Sequence, residues 1–372
     1  MRERKDCEVV MNQLEKCSDG TNRSRLNMFD FIKGISIFAV LLYHIIGCWS
    51  NDAGMETIMV VCDAVFLVLL PVFFLVGGYW FSLVKTGTSN KKKRLLLVKT
   101  YVETGVLSIL CYMVCHFFRF HSIRGAIKGG LGVIFAFLLG SKRAIQIGQV
   151  MIYDIGPIWF LVALGIGELL LECVLKANWI KNKGAAIVVI TIAGVVLSNV
   201  VWTPLCLSSA LVSTLAMYIG YELKKGGYLL KEWKWKEYGV LILLHIACLA
   251  VAAVWQLILG YDRTFLELVV GIPGGILLLK LGLKTSGIRK GIVRIFERMG
   301  RYSLWILMVH TIEMLSIDWI SIKNSWMFSD HQAVGFGVML VIRWLLVTVG
   351  CMGINTVERA RIRRRLKPRL ED

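Results

Sequence analysis

The chain is poor in charge, and poorer still in acid. Only 18% of its 372 residues are charged, with 25 Asp and Glu against 43 Lys and Arg. Beside 56% apolar residues and a mean hydropathy of +0.66, that shortage excludes an ordinary soluble domain. A glycine-rich phosphate loop and zinc-ligand spacings are also missing, so no resident nucleotide or metal is expected. Cysteine is present, at ten, but not as a disulfide framework. Cys7 and Cys17 fall in a polar N-terminal segment; Cys48, Cys62, Cys111, Cys115, Cys173, Cys206, Cys248 and Cys351 fall in or beside apolar stretches and read as small packing residues. Cys111, Cys115 and His116 are close enough to suggest a metal cluster, yet lack a fourth ligand.

Apolar windows are what the chain does have. They run over about 29–49, 58–82, 95–118, 150–175, 184–202, 205–223, 237–259, 264–283, 302–322 and 333–355. The pattern predicts an all-α polytopic membrane bundle of about ten transmembrane helices. The stretch 126–141 is short, glycine-rich and carries Lys128, and is expected to be re-entrant or interfacial. Lys and Arg crowd into alternate loops, which places both termini in the cytoplasm; an eleventh span at 126–141 would put the basic C-terminal end outside. The net charge of +18 therefore reads as membrane-surface charge rather than a nucleic-acid footprint. The aromatic and basic loop 224–236, KKGGYLLKEWKWK, reads as an interfacial belt. Residues 1–27 are expected to be a flexible cytoplasmic tail with no cleaved signal, 28–356 the membrane domain, and 357–372 a basic cytoplasmic tail.

The window Phe29 to Trp49 carries Asp30, Lys33 and His44. At about 100° and 1.5 Å per residue, the 11 residues from Lys33 to His44 return nearly to the same face, about 16 Å further along. Asp30 is one turn before Lys33, so an acid, a base and an imidazole share one stripe that must face protein or water. Without any catalytic role, Lys33 would snorkel to the headgroups and His44 would bond a neighbouring helix.

Other polar groups recur at helical spacing. PVFFLVGGYWF, residues 71–81, pairs Gly77 and Gly78 ahead of Tyr79. In KTGTSNKKKRLLLVKTY, residues 85–101, the cations Lys92, Lys93, Arg94 and Lys99 suit anionic lipid or an anionic ligand, with Glu103 a partner for Lys99. Gly156-Pro157 starts a helix with Trp159 just inside, followed by Glu168 and Glu172, which either meet Lys176, the favoured reading, or line a passage for a ligand. The outward segment 119–149, with Arg119 and Lys142 among its cations, either caps a site or is a solvated loop. His245, with apolar neighbours, reads as structural. Ser303, His310 and Glu313 share one helical face, setting a carboxylate beside an imidazole. Arg343 is an intramembrane cation that requires an anion: Glu313, Asp63 or a ligand phosphate.

In order along the chain, these segments resemble the acyltransferase 3 family of integral membrane O-acyltransferases. Lys33 and His44 stand at its Arg/Lys-x10-His spacing. Gly77-Gly78-Tyr79 ends the phenylalanine-rich segment where the family has Ser-Gly-Tyr or Ser-Gly-Phe. Gly156-Pro157-x-Trp159-Phe160-Leu161 is similar to its Leu-Trp-Phe-Leu segment, and Gly300-x-x-Ser303-Leu304 followed by His310 to its Gly-x-x-Ser-Leu…His. The basic run at 92–99 precedes Thr100-Tyr101 where the family has Pro-Tyr.

The resemblance implies transfer of an acyl group, usually acetyl, from cytoplasmic acetyl-CoA as co-substrate, with no bound cofactor or metal. The acceptor would be a hydroxyl of a saccharide or lipid-linked molecule, at a bacterial inner membrane. His44 would be general base, Lys33 would contact the donor or developing charge with Asp30 orienting it, and His310 would join them as a catalytic group. Ser303, Glu313, Trp159 and Tyr79 would serve the acceptor or oxyanion, and Lys92, Lys93, Arg94 and Lys99 the donor. Three alternatives stay open: acetylation of His44 itself, a transporter or flippase using the same buried charges, and a sensor or anchoring module without catalysis.

Overall fold

A computed structural model describes residues 20–49, 52, 55–83, 88–148, 150–259, 263–285, 291–325 and 332–366. Most of the expected N-terminal tail, including Cys7 and Cys17, and the last residues of the C-terminal one lie outside them. Among the described residues there are thirteen α-helices. They are α1 (Gly20–Ile46), α2 (Glu56–Trp80), α3 (Thr88–Phe120), α4 (Ile123–Leu139), α5 (Trp159–Lys176), α6 (Lys183–Val200) and α7 (Leu207–Lys225). Then come α8 (Trp235–Leu259), α9 (Arg263–Thr285), α10 (Gly291–Arg301), α11 (Ser303–Ser316), α12 (Trp319–Lys323) and α13 (Gln332–Leu366). The β-structure among the described residues is one antiparallel hairpin, β1 (Ile145–Ile147) with β2 (Val150–Ile152), pairing Ile145 with Ile152.

Among the described residues, seven helices are long and apolar enough to cross a membrane: α1, α3, α5, α6, α7, α8 and α13. Of the other three expected windows, two fall on α2 and α9, helices of 25 and 23 residues, and one on α11, Ser303–Ser316. At 1.5 Å per residue the last reaches about 21 Å, short of a hydrocarbon core of about 30 Å. α11 by itself is therefore too short to span. The window at 150–175 also begins in β2, and its helix starts only after the Gly156–Ile158 turn.

The outer face of α3 shows why a bilayer is the solvent. Leu95, Val98, Val102, Val106, Leu110 and Val114 recur every three or four residues and are all exposed. Such a row is a liability in water and ordinary against lipid.

Close backbone crossings set the frame of the site. A Cβ on Gly34 would lie 1.9 Å from the Phe296 carbonyl oxygen, and one on Gly300 1.7 Å from that of Asp30, so α1 and α10 touch backbone to backbone. Gly78 and Gly220 do the same for α2 and α7, against Met217 and Leu75.

α4 folds back along α3, with Gly125 beside His116, Gly129 beside Tyr112, and the Tyr101 hydroxyl donating to the Phe137 carbonyl at 2.5 Å. The chain reverses at Gly140 in the left-handed region (φ 57°), where the Cys206 thiol contacts its carbonyl at 3.1 Å. β2 then returns beside α4, its Met151 carbonyl over Gly132. The eight span cysteines are free, and His245 sits with Nδ1 3.1 Å from the Val270 carbonyl oxygen, a packing role.

Candidate active site

The stripe on α1 faces inward, as its charges require. Asp30 and Lys33 form an ion pair at 2.8 Å, both partly buried. Lys33 and His44 line one cavity of about 450 Å³ enclosed by α1, α2, α3, α5 and α11. Its wall is mostly apolar, with Lys93, Lys142, Trp159 and Ser303 adding polar groups. Nearer the C-terminal end of α3 lies a wider groove of about 1260 Å³, lined by Tyr112, His116, Arg119, Asp318, Trp319 and Arg343 among others. His44 borders both.

Behind His44 stands His310, with ring centroids 5.3 Å apart. His310 is 1% exposed, and its Nδ1 is 2.8 Å from Glu313 Oε1. The same oxygen accepts from Arg343 Nη2 at 2.7 Å and Nε at 3.1 Å, while Oε2 accepts from the Trp319 indole N–H. A carboxylate held by a guanidinium can only accept, so Nδ1 of His310 carries the proton and donates it. Nε2 is left with a lone pair; it is buried and has no partner among the described residues. Arg343 also donates from Nη1 to the His44 carbonyl at 3.3 Å, tying α13 to α1 as well as to α11. Glu313 is therefore the anion Arg343 needs; the side chain of Asp63 lies outside the described residues.

Several expected residues do not meet the cavity. Tyr79 packs on Phe29 at 4.9 Å between centroids, while its neighbours Gly77 and Trp80 line the wall. Glu313, with both oxygens turned to protein, has no face left for an acceptor; it positions His310. Of the basic run, only Lys93 lines the cavity, and it is paired with Glu168. Arg94 pairs with Glu172 at 2.6 Å, Lys99 with Glu103 at 3.8 Å, and Lys92 is exposed. Glu172 meets Lys176 at 2.5 Å as expected, but Glu168 does not. In the segment 119–149, Arg119 pairs with Asp318, and the Lys142 ammonium sits 4.2 Å from the Trp159 ring centroid.

Two participants escaped sequence reasoning. Trp319 belongs to no motif, yet its indole N–H donates to Glu313 Oε2. Lys142 was visible only as one cation of an outward loop; nothing local shows that the reversal at Gly140 turns it to the cavity.

No curated protein and no solved structure matches the chain. Residues 26–356 match the acyltransferase 3 family, described as an acyltransferase domain, and so cover the Lys33–His44 helix, both wall cations and the His310–Glu313–Arg343 cluster. That match lends no support to a solute carrier. With multiple apolar helices around a cavity lined by Lys33 and His44, the chain belongs to the acyltransferase 3 family and is a membrane acyltransferase.

Proposed function

We propose that the protein transfers an acyl group, in the simplest case acetyl, from cytoplasmic acyl-CoA to a hydroxyl of a saccharide or lipid-linked cell-envelope acceptor. The observation that carries this reading is that His44 borders both the cavity and the groove, so one imidazole is reachable by two substrates arriving separately. The end carrying the basic run, and with it both termini, faces the cytoplasm of a bacterial inner membrane by the positive-inside rule. The mostly apolar wall suits a pantetheine arm, and the groove suits the acceptor.

The acceptor oxygen attacks the thioester carbonyl while His44 takes the hydroxyl proton. The carbon–sulfur bond then breaks, the thiolate recovers that proton, and an ester and free CoA leave. His310, its Nε2 lone pair fixed by Glu313, is the second proton acceptor, against the acceptor hydroxyl or His44. Lys33 lies about 16 Å along α1 from His44, too far for both to touch one carbonyl, so it serves the donor with Asp30 holding it. Ser303, seven residues or about 10 Å before His310, belongs to that same donor end.

Radiolabelled acetyl-CoA supplied to purified protein with candidate envelope glycans tests the reading. His44→Ala abolishes transfer with membrane insertion intact; transfer retained by that variant overturns the base assignment.

A further inference from the structure

The donor's phosphates need cations, and the obvious ones are engaged. Lys93, Arg94 and Lys99 are each paired with a carboxylate. Another cavity, of about 530 Å³, opens at the same end of the bundle, between the turn joining α5 to α6 and the last turns of α7. Lys181, Lys183 and Lys225 line it; Lys225 is paired with Glu222 at 3.5 Å, which leaves Lys181 and Lys183 as the cations facing no carboxylate of the lining. Lys183 also donates to the Ala177 carbonyl at 2.5 Å, which holds its ammonium in place. Tyr218 and Tyr221, one turn apart on α7, form an aromatic wall, and Asn182 stands beside the lysines.

We propose that this cavity binds the adenosine-phosphate end of the acyl donor, which rests on the acyl-CoA reading above. An anionic headgroup would call for the lysines alone. Tyrosine rings for stacking, and the amide nitrogen of Asn182, whose oxygen already accepts from the Ala185 N–H at 3.0 Å, add what a nucleobase requires. The position fits as well. Trp80 lines the catalytic cavity and Leu83 this one. Three residues hold their Cα atoms within about 11 Å, a gap that a phosphopantetheine arm bridges. One donor molecule then spans both cavities, with its nucleotide anchored outside the bundle and its thioester led towards His44.

The test uses full-length protein in phosphatidylcholine nanodiscs, with Lys181→Glu and, separately, Tyr221→Leu. Dissociation constants are measured for CoA and for adenosine 3′,5′-diphosphate, and kcat/KM for acetyl-CoA and for acetyl-pantetheine, which lacks the nucleotide. Each variant is expected to bind both nucleotides at least tenfold more weakly and to lower the ratio of kcat/KM for acetyl-CoA over acetyl-pantetheine by the same factor. Wild-type affinities in both variants would overturn the proposal while leaving the acyl-CoA reading standing. Loss of co-purified phosphatidylglycerol without loss of CoA affinity would make this a lipid site and overturn it too. No CoA binding and no transfer by the wild-type protein would instead sink the donor reading, and the nucleotide site with it.

Discussion

Arg343 and Glu313 share a single oxygen: Nη2 and Nε of the guanidinium reach Oε1 at 2.7 and 3.1 Å, and the two side chains are only 2% and 5% exposed. Because His310 Nδ1 bonds that same oxygen, the ion pair that neutralises a buried cation also decides which nitrogen of His310 keeps its lone pair.

Glu313→Gln should therefore fail twice. It strands the Arg343 charge, a loss of about 3–5 kcal/mol for a broken buried pair, and it frees the tautomer of His310. Thermal unfolding in detergent is expected to show a large drop. Replacing both partners, Glu313→Leu with Arg343→Met, should recover most of the stability, since an apolar pair needs no desolvation, yet transfer should stay absent. Activity returning with stability would show that Glu313 only balances charge.

The two imidazoles should behave as a unit. His44→Ala is expected to lower kcat by at least the 10²- to 10⁴-fold typical of a lost general base. His310→Ala should cost a comparable factor, and the double variant little more than either alone, because residues acting in one proton path are not additive. Single-turnover transfer from labelled acetyl-CoA measures this. Multiplying losses would place the histidines in separate steps.

Gly300→Ala probes the frame instead of the chemistry. Its new methyl would lie 1.7 Å from the Asp30 carbonyl oxygen, a backbone atom that cannot swing aside. α10 must then leave α1, and the Asp30–Lys33 pair beside the crossing moves with it. Overpacking of about 1–3 kcal/mol is the minimum expected, read as a lowered unfolding temperature with poorer donor affinity.

That glycine shows how far the sequence could be read. Gly300 was visible as one letter of a motif, but its reason, the approach of α1, is a tertiary fact. Lys33 and His44 were legible because helical spacing alone puts them on one face, and Ser303, His310 and Glu313 for the same cause. Arg343 announced that it needed an anion without saying which. The partner of Glu168 was misjudged because Lys93 is 75 residues away, on another helix, whereas Lys176 is local. The shortness of α11 was illegible for a similar reason: it is apolar enough for a span but stops at Ser316, and only the fold shows what surrounds so short a helix.

Gly77 and Gly78 are adjacent in sequence and should respond oppositely to substitution. A Cβ on Gly78 would sit 1.8 Å from the Met217 carbonyl oxygen, so Gly78→Ala must part α2 from α7 and is expected to reduce the yield of folded protein. A Cβ on Gly77 meets only Leu164 Cδ1, at 2.9 Å, the far end of a side chain that can rotate, with Glu168 Oε1 3.9 Å away. Gly77→Ser should accordingly fold with a near wild-type unfolding temperature while narrowing the cavity beside Lys93 and Glu168, the donor end. His44 lies elsewhere on the wall, so the chemical step is spared: the KM for acetyl-CoA should rise a few-fold at nearly constant kcat, the mark of lost uniform binding. A fall in kcat with unchanged KM would mean that the thioester reacts beside Gly77, and would move the reacting centre away from the paired histidines.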